Sequence, residues 1–101
     1  MSAFAEFEAE HVRLAILQFL QSDGDYEINA AVLQRALHSV GHGISTDALR
    51  TQCAWLAEQQ LVTTRALGAM ALVKLTTRGE DVALGRARAP GVARPRPGEI
   101  V

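Results

Sequence analysis

The sequence predicts an α+β domain that is mostly helical, and three observations lead to this prediction. Apolar residues recur with helical spacing in three segments of residues 3–60. Two short β-prone runs follow, joined by a tight turn at Gly68. A short last helix and a stretch that holds all three prolines complete the chain. We therefore expect one domain over residues 1–86 and a flexible or extended tail over residues 87–101.

Charge is distributed unevenly along the chain, although the 101 residues carry a net charge of only −1. Residues 1–60 hold three basic and eight acidic side chains, whereas residues 61–101 hold seven basic and three acidic ones. Such asymmetry indicates an anionic partner for the basic half or contact with an acidic surface. A basic tail that is simply solvated is the alternative.

The single cysteine, Cys53, has no partner for an internal disulfide, so a reducing compartment is expected. The first residues carry three glutamates before the first arginine, which is unlike a secretory signal. The sequence also lacks an apolar run near the roughly 18 residues that a membrane span needs. We expect a cytoplasmic protein that has no membrane partner.

The first helix is predicted over residues 3–21, with Ser2 as its cap and three glutamates in its early turns. Its apolar residues cover more than one side, which suggests burial on two sides. Phe4 and Phe7 are candidates for a contact with a second subunit, and folding back on their own domain is equally compatible. The predicted buried stripe is Ala9, Val12, Ile16, Phe19 and Leu20, widened by Leu14 and Leu17.

The second helix is predicted over residues 30–39, after a turn at residues 22–28 in which Tyr26 and Ile28 form a short extended piece. Asn29 is its expected cap, and Gly41 and Gly43 end it. Its apolar positions have helical spacing. They are Val32, Leu33, Ala36, Leu37 and Val40.

The third helix begins after Ser45 and runs into Leu61 and Val62 without a loop. Leu49, Cys53 and Leu56 share its buried face, and Trp55 lies on the flank. The first strand of the hairpin is predicted to end near Leu67, and the second strand is predicted to cover Met70 to Leu75. Thr76 or Thr77 caps the last helix, residues 77–86, and Thr77 with Glu80 matches a capping box.

This order of elements resembles the winged helix-turn-helix superfamily. The carrying residues are Ser45, Leu49, Leu56, Leu61-Val62, Leu75-Thr76 and Gly79, which match the pattern of ArsR-like and MarR-like domains. A closer likeness spans nearly the whole chain. The stretches AEHVRLAILQFL, LRTQCAWLAEQQLVT and LTTRGEDVALGRARAPGV are similar to small proteins of Mu-like phages and prophages. These phage proteins carry the ArsR-like label by fold.

The resemblance implies double-stranded DNA as the partner and transcription regulation as the function, with the third helix in the major groove. Arg50 would read guanine, Arg65 and Lys74 would hold phosphates, and Arg86 and Arg88 would add contacts from the basic end. A homodimer is the expected assembly. The residues of the third helix that would face DNA are Thr46, Asp47, Arg50, Thr51 and Ala54.

The rival interpretation is a winged-helix module for protein–protein interaction that binds no DNA, since the third helix carries one basic and two acidic residues. A metal site is not predicted, because His11, His38, His42 and Cys53 lack the spacing of a zinc site. The sequence shows no nucleophile or phosphate-binding motif, so we expect no enzyme activity. We also expect no cofactor, and no small-molecule effector is evident from the sequence.

Overall fold

The structure, a computed structural model, describes residues 2–98, which form four helices and one three-stranded antiparallel sheet. About half of these residues are helical, so the predicted α+β class is confirmed. None of these helices is long and apolar enough to cross a membrane. In chain order the elements are α1 (Ala3–Ser22), β1 (Glu27–Asn29), α2 (Ala30–Ser39), α3 (Thr46–Glu58), β2 (Val62–Leu67), β3 (Met70–Leu75) and α4 (Thr77–Ala83).

Each helix begins at a side chain that accepts a hydrogen bond from the backbone of its first turn, which satisfies an otherwise unpaired N–H group. Ser2, Asn29 and Ser45 cap the first three helices, as predicted. Thr76 caps α4, and its Oγ1 accepts from the Gly79 backbone N–H at 2.9 Å. The Thr77 capping box does not form, because Thr77 is already helical.

The sheet has the strand order β1-β3-β2. The short strand β1, which precedes α2, therefore pairs with β3 on the side away from β2. In the register, Val73 lies opposite both Ile28 and Thr64, and Lys74 lies opposite both Glu27 and Thr63. Successive side chains of a strand point to opposite faces. Val73 therefore points inward to the helices, whereas Lys74, Glu27 and Thr63 share the outer face.

The core lies between α1, the other helices and the inner face of the sheet. Val32 of α2 follows the helical period but is exposed, and so is Val40, which caps the C-terminus of this helix. Only Leu33 and Leu37, one turn apart, are fully buried, so α2 packs through a narrow stripe. The buried residues of α1 are Val12, Leu14, Ile16, Leu17 and Leu20.

The described part of the tail, residues 87–98, contains no helix or strand, and its first half packs on the domain. Ala89 is buried among core residues. The Ala93 backbone N–H donates to the Glu10 carbonyl at 3.1 Å, which places this segment along α1. The predicted tail also includes residues 99–101, which lie outside the described residues.

Candidate nucleic-acid interface

Helix α3 separates its buried side chains from the residues that the sequence proposes for DNA. Leu49, Cys53 and Leu56 are buried, as predicted from their spacing. Burial raises the pKa of the Cys53 thiol to about 11, so this thiol is neutral at physiological pH. The five candidate residues on the other side are all exposed: Thr46, Asp47, Arg50, Thr51 and Ala54.

Arg50 is the one cation of α3, and it has an acidic neighbour on the same helix. Its Nη1 lies 3.8 Å from Oδ1 of Asp47, with the two side chains 78% and 94% exposed. An exposed pair at this distance is weak and is readily replaced by another anion. Thr51 donates its hydroxyl to the Asp47 carbonyl at 3.1 Å, so one polar group of the face is already used.

Arg65 forms a two-point ion pair with Glu27 that ties β2 to β1 across β3. Its Nε and Nη2 each donate to a Glu27 carboxylate oxygen at 3.0 Å. These hydrogen bonds lower the pKa of Glu27 and raise the pKa of Arg65. The charge of Arg65 is therefore largely compensated, which reduces its capacity to hold a phosphate.

Lys74 and the arginines of the chain end occupy other places. Lys74 is exposed on the outer face of the sheet, where its charge also lowers the pKa of Glu27. Arg86 follows α4 and lies 3.4 Å from the Asp81 carboxylate. Arg88 lines a cavity of about 280 Å³ between α4 and the tail. That cavity does not include the α3 or hairpin candidates.

A groove between α3, the start of α2 and the inner face of the hairpin brings part of the predicted site together. We call it the α3–hairpin groove, and its volume is about 660 Å³. Of the predicted residues it includes Thr46, Arg50, Ala54 and Arg65. Its other lining residues are mostly small or apolar: Asn29, Ala30, Ala31, Gln34, Leu49, Cys53, Thr64, Ala66, Ala69, Met70, Ala71 and Val73.

Arg13 is a central residue that the sequence analysis did not identify. Its Nε donates to Gln52 Oε1 and its Nη1 to the Gly91 carbonyl, both at 2.8 Å. The guanidinium carbon lies 4.1 Å from the centroid of the Trp55 ring, a cation–π distance. Arg13 therefore joins α1, α3 and the tail, although the partners are 39 and 78 residues away in sequence. No local pattern could have indicated these pairings.

The structure offers no metal-ligand cluster among its described residues. Within residues 2–98, no three His, Cys, Asp or Glu side chains converge in a way that could hold an ion. Cys53 lies in the core, where a thiol commonly packs as a small apolar side chain.

Comparison with known proteins connects the chain to bacteriophage Mu. It is 52% identical over 88 residues to the uncharacterized protein gp26 of Escherichia phage Mu, an alignment that covers 87% of this chain and 91% of gp26. It is 37% identical over 65 residues to an uncharacterized protein of Haemophilus influenzae, covering 64% of this chain and 63% of that protein. No protein-family model matches the chain. The relationship to Mu-like phage proteins, expected from the sequence, is thus confirmed, and the chain belongs to the family of phage Mu gp26.

Proposed function

We propose that this phage-type protein is a winged-helix protein that binds duplex DNA and regulates transcription, with α3 in the major groove and the hairpin beside it. The observation that carries the proposal is the exposed N-terminal half of α3 next to a hairpin whose first strand is exposed from Thr63 to Leu67. The order of two helices, a turn, a third helix and a hairpin supports the winged-helix assignment.

Base recognition is assigned to the first turns of α3. Arg50 is long enough to donate two hydrogen bonds to guanine, and its weak ion pair with Asp47 can be replaced by these bonds. Asp47 would accept a hydrogen bond from cytosine and would repel phosphate elsewhere. Thr46, Thr51 and Ala54 supply hydroxyl and methyl contacts on the same exposed face.

Phosphate contacts are few in this proposal, and their number sets the expected salt dependence. Arg50 and Lys74 are exposed cations, whereas Arg65 is compensated by Glu27. Two such cations per protomer correspond to a slope of log affinity against log salt of about −2. Such a small footprint requires base contacts or a second protomer for tight binding.

Protein binding without DNA is the second candidate, and the apolar hairpin tip favours it. Leu67 and Met70, opposite one another beside the turn, are 51% and 43% exposed. A DNA-contacting hairpin ordinarily offers cations to the phosphates. Asp47 and Glu27 also offset much of the positive charge on this side of the molecule.

The test is fluorescence anisotropy of labelled phage and host promoter fragments, titrated with the full chain at about 50 to 200 mM salt. We expect one fragment to bind more tightly than the others, and Arg50→Gln to weaken that binding by about 1–3 kcal/mol while reducing the preference. Lys74→Gln should weaken binding to all fragments alike. Arg35→Gln, an exposed arginine of α2 outside the proposed interface, is the matched control.

Two results would refute the DNA proposal. One is an absence of binding to every fragment at the low-salt end, which would favour the protein-binding candidate. The other is weak binding that Arg50→Gln and Arg35→Gln reduce equally, because that result indicates a general charge effect.

A further inference from the structure

The α3–hairpin groove, with a volume of about 660 Å³, is larger than the cavity of about 280 Å³ between α4 and the tail. It is open because the side chains between α3 and the sheet are short. Ala54 on α3 and Ala66 and Ala71 on the hairpin all line the groove, and alanine side chains do not fill the space between a helix and a sheet. Leu49, Cys53 and Val73 form its apolar floor.

Most polar groups around the groove already have partners within the protein. Asn29 accepts from the Ala31 backbone N–H at 2.8 Å, and Gln34 donates to the Ile44 carbonyl at 2.9 Å. The Gln34 oxygen accepts from the Thr46 hydroxyl at 3.4 Å. A ligand bound in the groove would therefore contact mainly apolar surface, and the hydrophobic effect would favour its burial.

Arg50 is the group at the rim that remains able to bind a charge. Its partner Asp47 is loosely held, 3.8 Å away and almost fully exposed, so a carboxylate or sulfonate in the groove would compete with it easily. Arg65 also lines the groove, but Glu27 already holds its guanidinium at two points. A ligand that carries one anionic group could therefore pair with Arg50 at the rim of the groove.

We propose that the α3–hairpin groove binds a small molecule with an apolar body and one anionic group, which contacts Arg50. The groove volume lies within the roughly 300–1,000 Å³ that is usual for small-molecule sites. The inference goes beyond DNA binding and does not depend on it. If DNA does bind to α3, ligand and DNA would compete for Arg50, and the ligand would act as an effector.

The experiment titrates the full chain with 1-anilinonaphthalene-8-sulfonate, an apolar dye with one anionic group, in the absence of DNA. Ala71→Leu, and independently Ala66→Leu, fill the groove from an exposed position. Thr63→Leu adds the same apolar group on the outer face of β2 and is the matched control. Arg50→Gln removes the cation, with Arg35→Gln as its control. Far-UV circular dichroism establishes that each variant is folded.

We expect saturable dye binding that either groove-filling variant reduces at least ten-fold and that Thr63→Leu leaves unchanged. Arg50→Gln should weaken binding about three- to ten-fold, as expected for the loss of one partly exposed charge contact. Decanoate should displace the dye, and decanol, which has no charge, should do so much less well.

The proposal is overturned if the groove-filling variants bind the dye like the wild type, or if Arg50→Gln and Arg35→Gln behave alike. Equal displacement by decanol and decanoate would also overturn it. Sedimentation at the assay concentration tests whether a second copy of the chain occupies the groove instead of a small molecule. If Ala71→Leu converts a dimer to a monomer, a second copy of the chain fills the groove and the small-molecule proposal is wrong.

Discussion

Gly79 lies in the first turn of α4, where intrinsic helix propensity alone would favour alanine by about 1 kcal/mol. The close packing around this position instead favours glycine. A Cβ at this position would overlap the Leu61 carbonyl and lie 2.7 Å from Leu75 Cδ1. The close approach of α4 to the chain entering β2 therefore requires a residue without a side chain.

Replacement of Gly79 by alanine should lower the free energy of unfolding by at least about 2 kcal/mol, because backbone atoms must move to accommodate the methyl group. Urea unfolding monitored by circular dichroism measures this change. Gly24→Ala is the matched control, since a Cβ there meets nothing within 4 Å. An equal, small effect of both substitutions would show that α4 can shift away from Leu61.

Glu27 should contribute to the pH dependence of stability. The hydrogen bonds from Arg65, and next the charges of Arg65 and Lys74, lower its folded-state pKa despite the opposing effect of burial. Because the folded pKa is below the unfolded value, the stabilisation is complete above about pH 4.5 and is lost as the pH falls through the folded pKa.

Glu27→Gln should therefore flatten the acid limb of a plot of unfolding free energy against pH. Arg65→Gln should have the same effect, since it removes the group that lowers the pKa. Glu8→Gln, on the exposed side of α1, should leave the acid limb in place. An unchanged limb in Glu27→Gln would mean that the Arg65 contact does not persist in solution.

At the scale of elements, the tail is held to α1 and α3 by contacts around Trp55. Gly91 has a φ of +93°, and a Cβ there would lie 2.6 Å from Trp55 Cζ2. The Arg13 side chain, only 11% exposed, lies over the same ring and donates to the Gly91 carbonyl. The tail can thus approach Trp55 only where the chain has a glycine.

Gly91→Ala should release this part of the tail, with a loss of about 1–3 kcal/mol in unfolding free energy from backbone strain and steric overlap. Trp55 is the single tryptophan, so its emission should shift to longer wavelength as water reaches the ring. Gly98→Ala is the control, because Gly98 has a similar φ of +86° and open space around it. The same emission in both variants would contradict the docked position of the tail.

At the scale of the whole molecule, the fold brings the acidic and basic halves of the chain together. Arg65 belongs to the basic half, and it forms an ion pair at 3.0 Å with Glu27 of the acidic half. Part of the charge asymmetry is therefore compensated within the molecule. This ion pair leaves one cation fewer for an anionic partner.

Association through α1 is the prediction that belongs to this scale. Phe4 and Phe7 are 69% and 57% exposed, about one turn apart, and the Phe7 ring lies 4.3 Å from that of His11. We expect the chain to sediment at twice its mass of 10.9 kDa at micromolar concentration, and Phe4→Ser with Phe7→Ser to yield the single mass. Val32→Ser, an exposed apolar residue of α2, is the control. A wild type that sediments as one chain would refute the dimer.

Most of the fold was predictable because its signals are local. Ser2, Asn29 and Ser45 cap helices through groups two or three residues away, and the hairpin turn at Gly68 lies between two β-prone runs. These interactions depend on neighbours within about one helical turn, so the sequence carries them directly. The exposed face of α3 follows from the same periodicity.

The partners of charged groups and the shape of the surface depended on contacts between distant segments. Arg65 was expected to hold phosphate, but the strand order places it beside Glu27, 38 residues away. Val32 follows the helical period, yet α2 packs through Leu33 and Leu37 and leaves it exposed. The α3–hairpin groove likewise is lined by short side chains that come from separate elements. The sequence thus determined where each helix begins and which face of α3 is buried, whereas three-dimensional proximity determined which charges are compensated and where a ligand can enter.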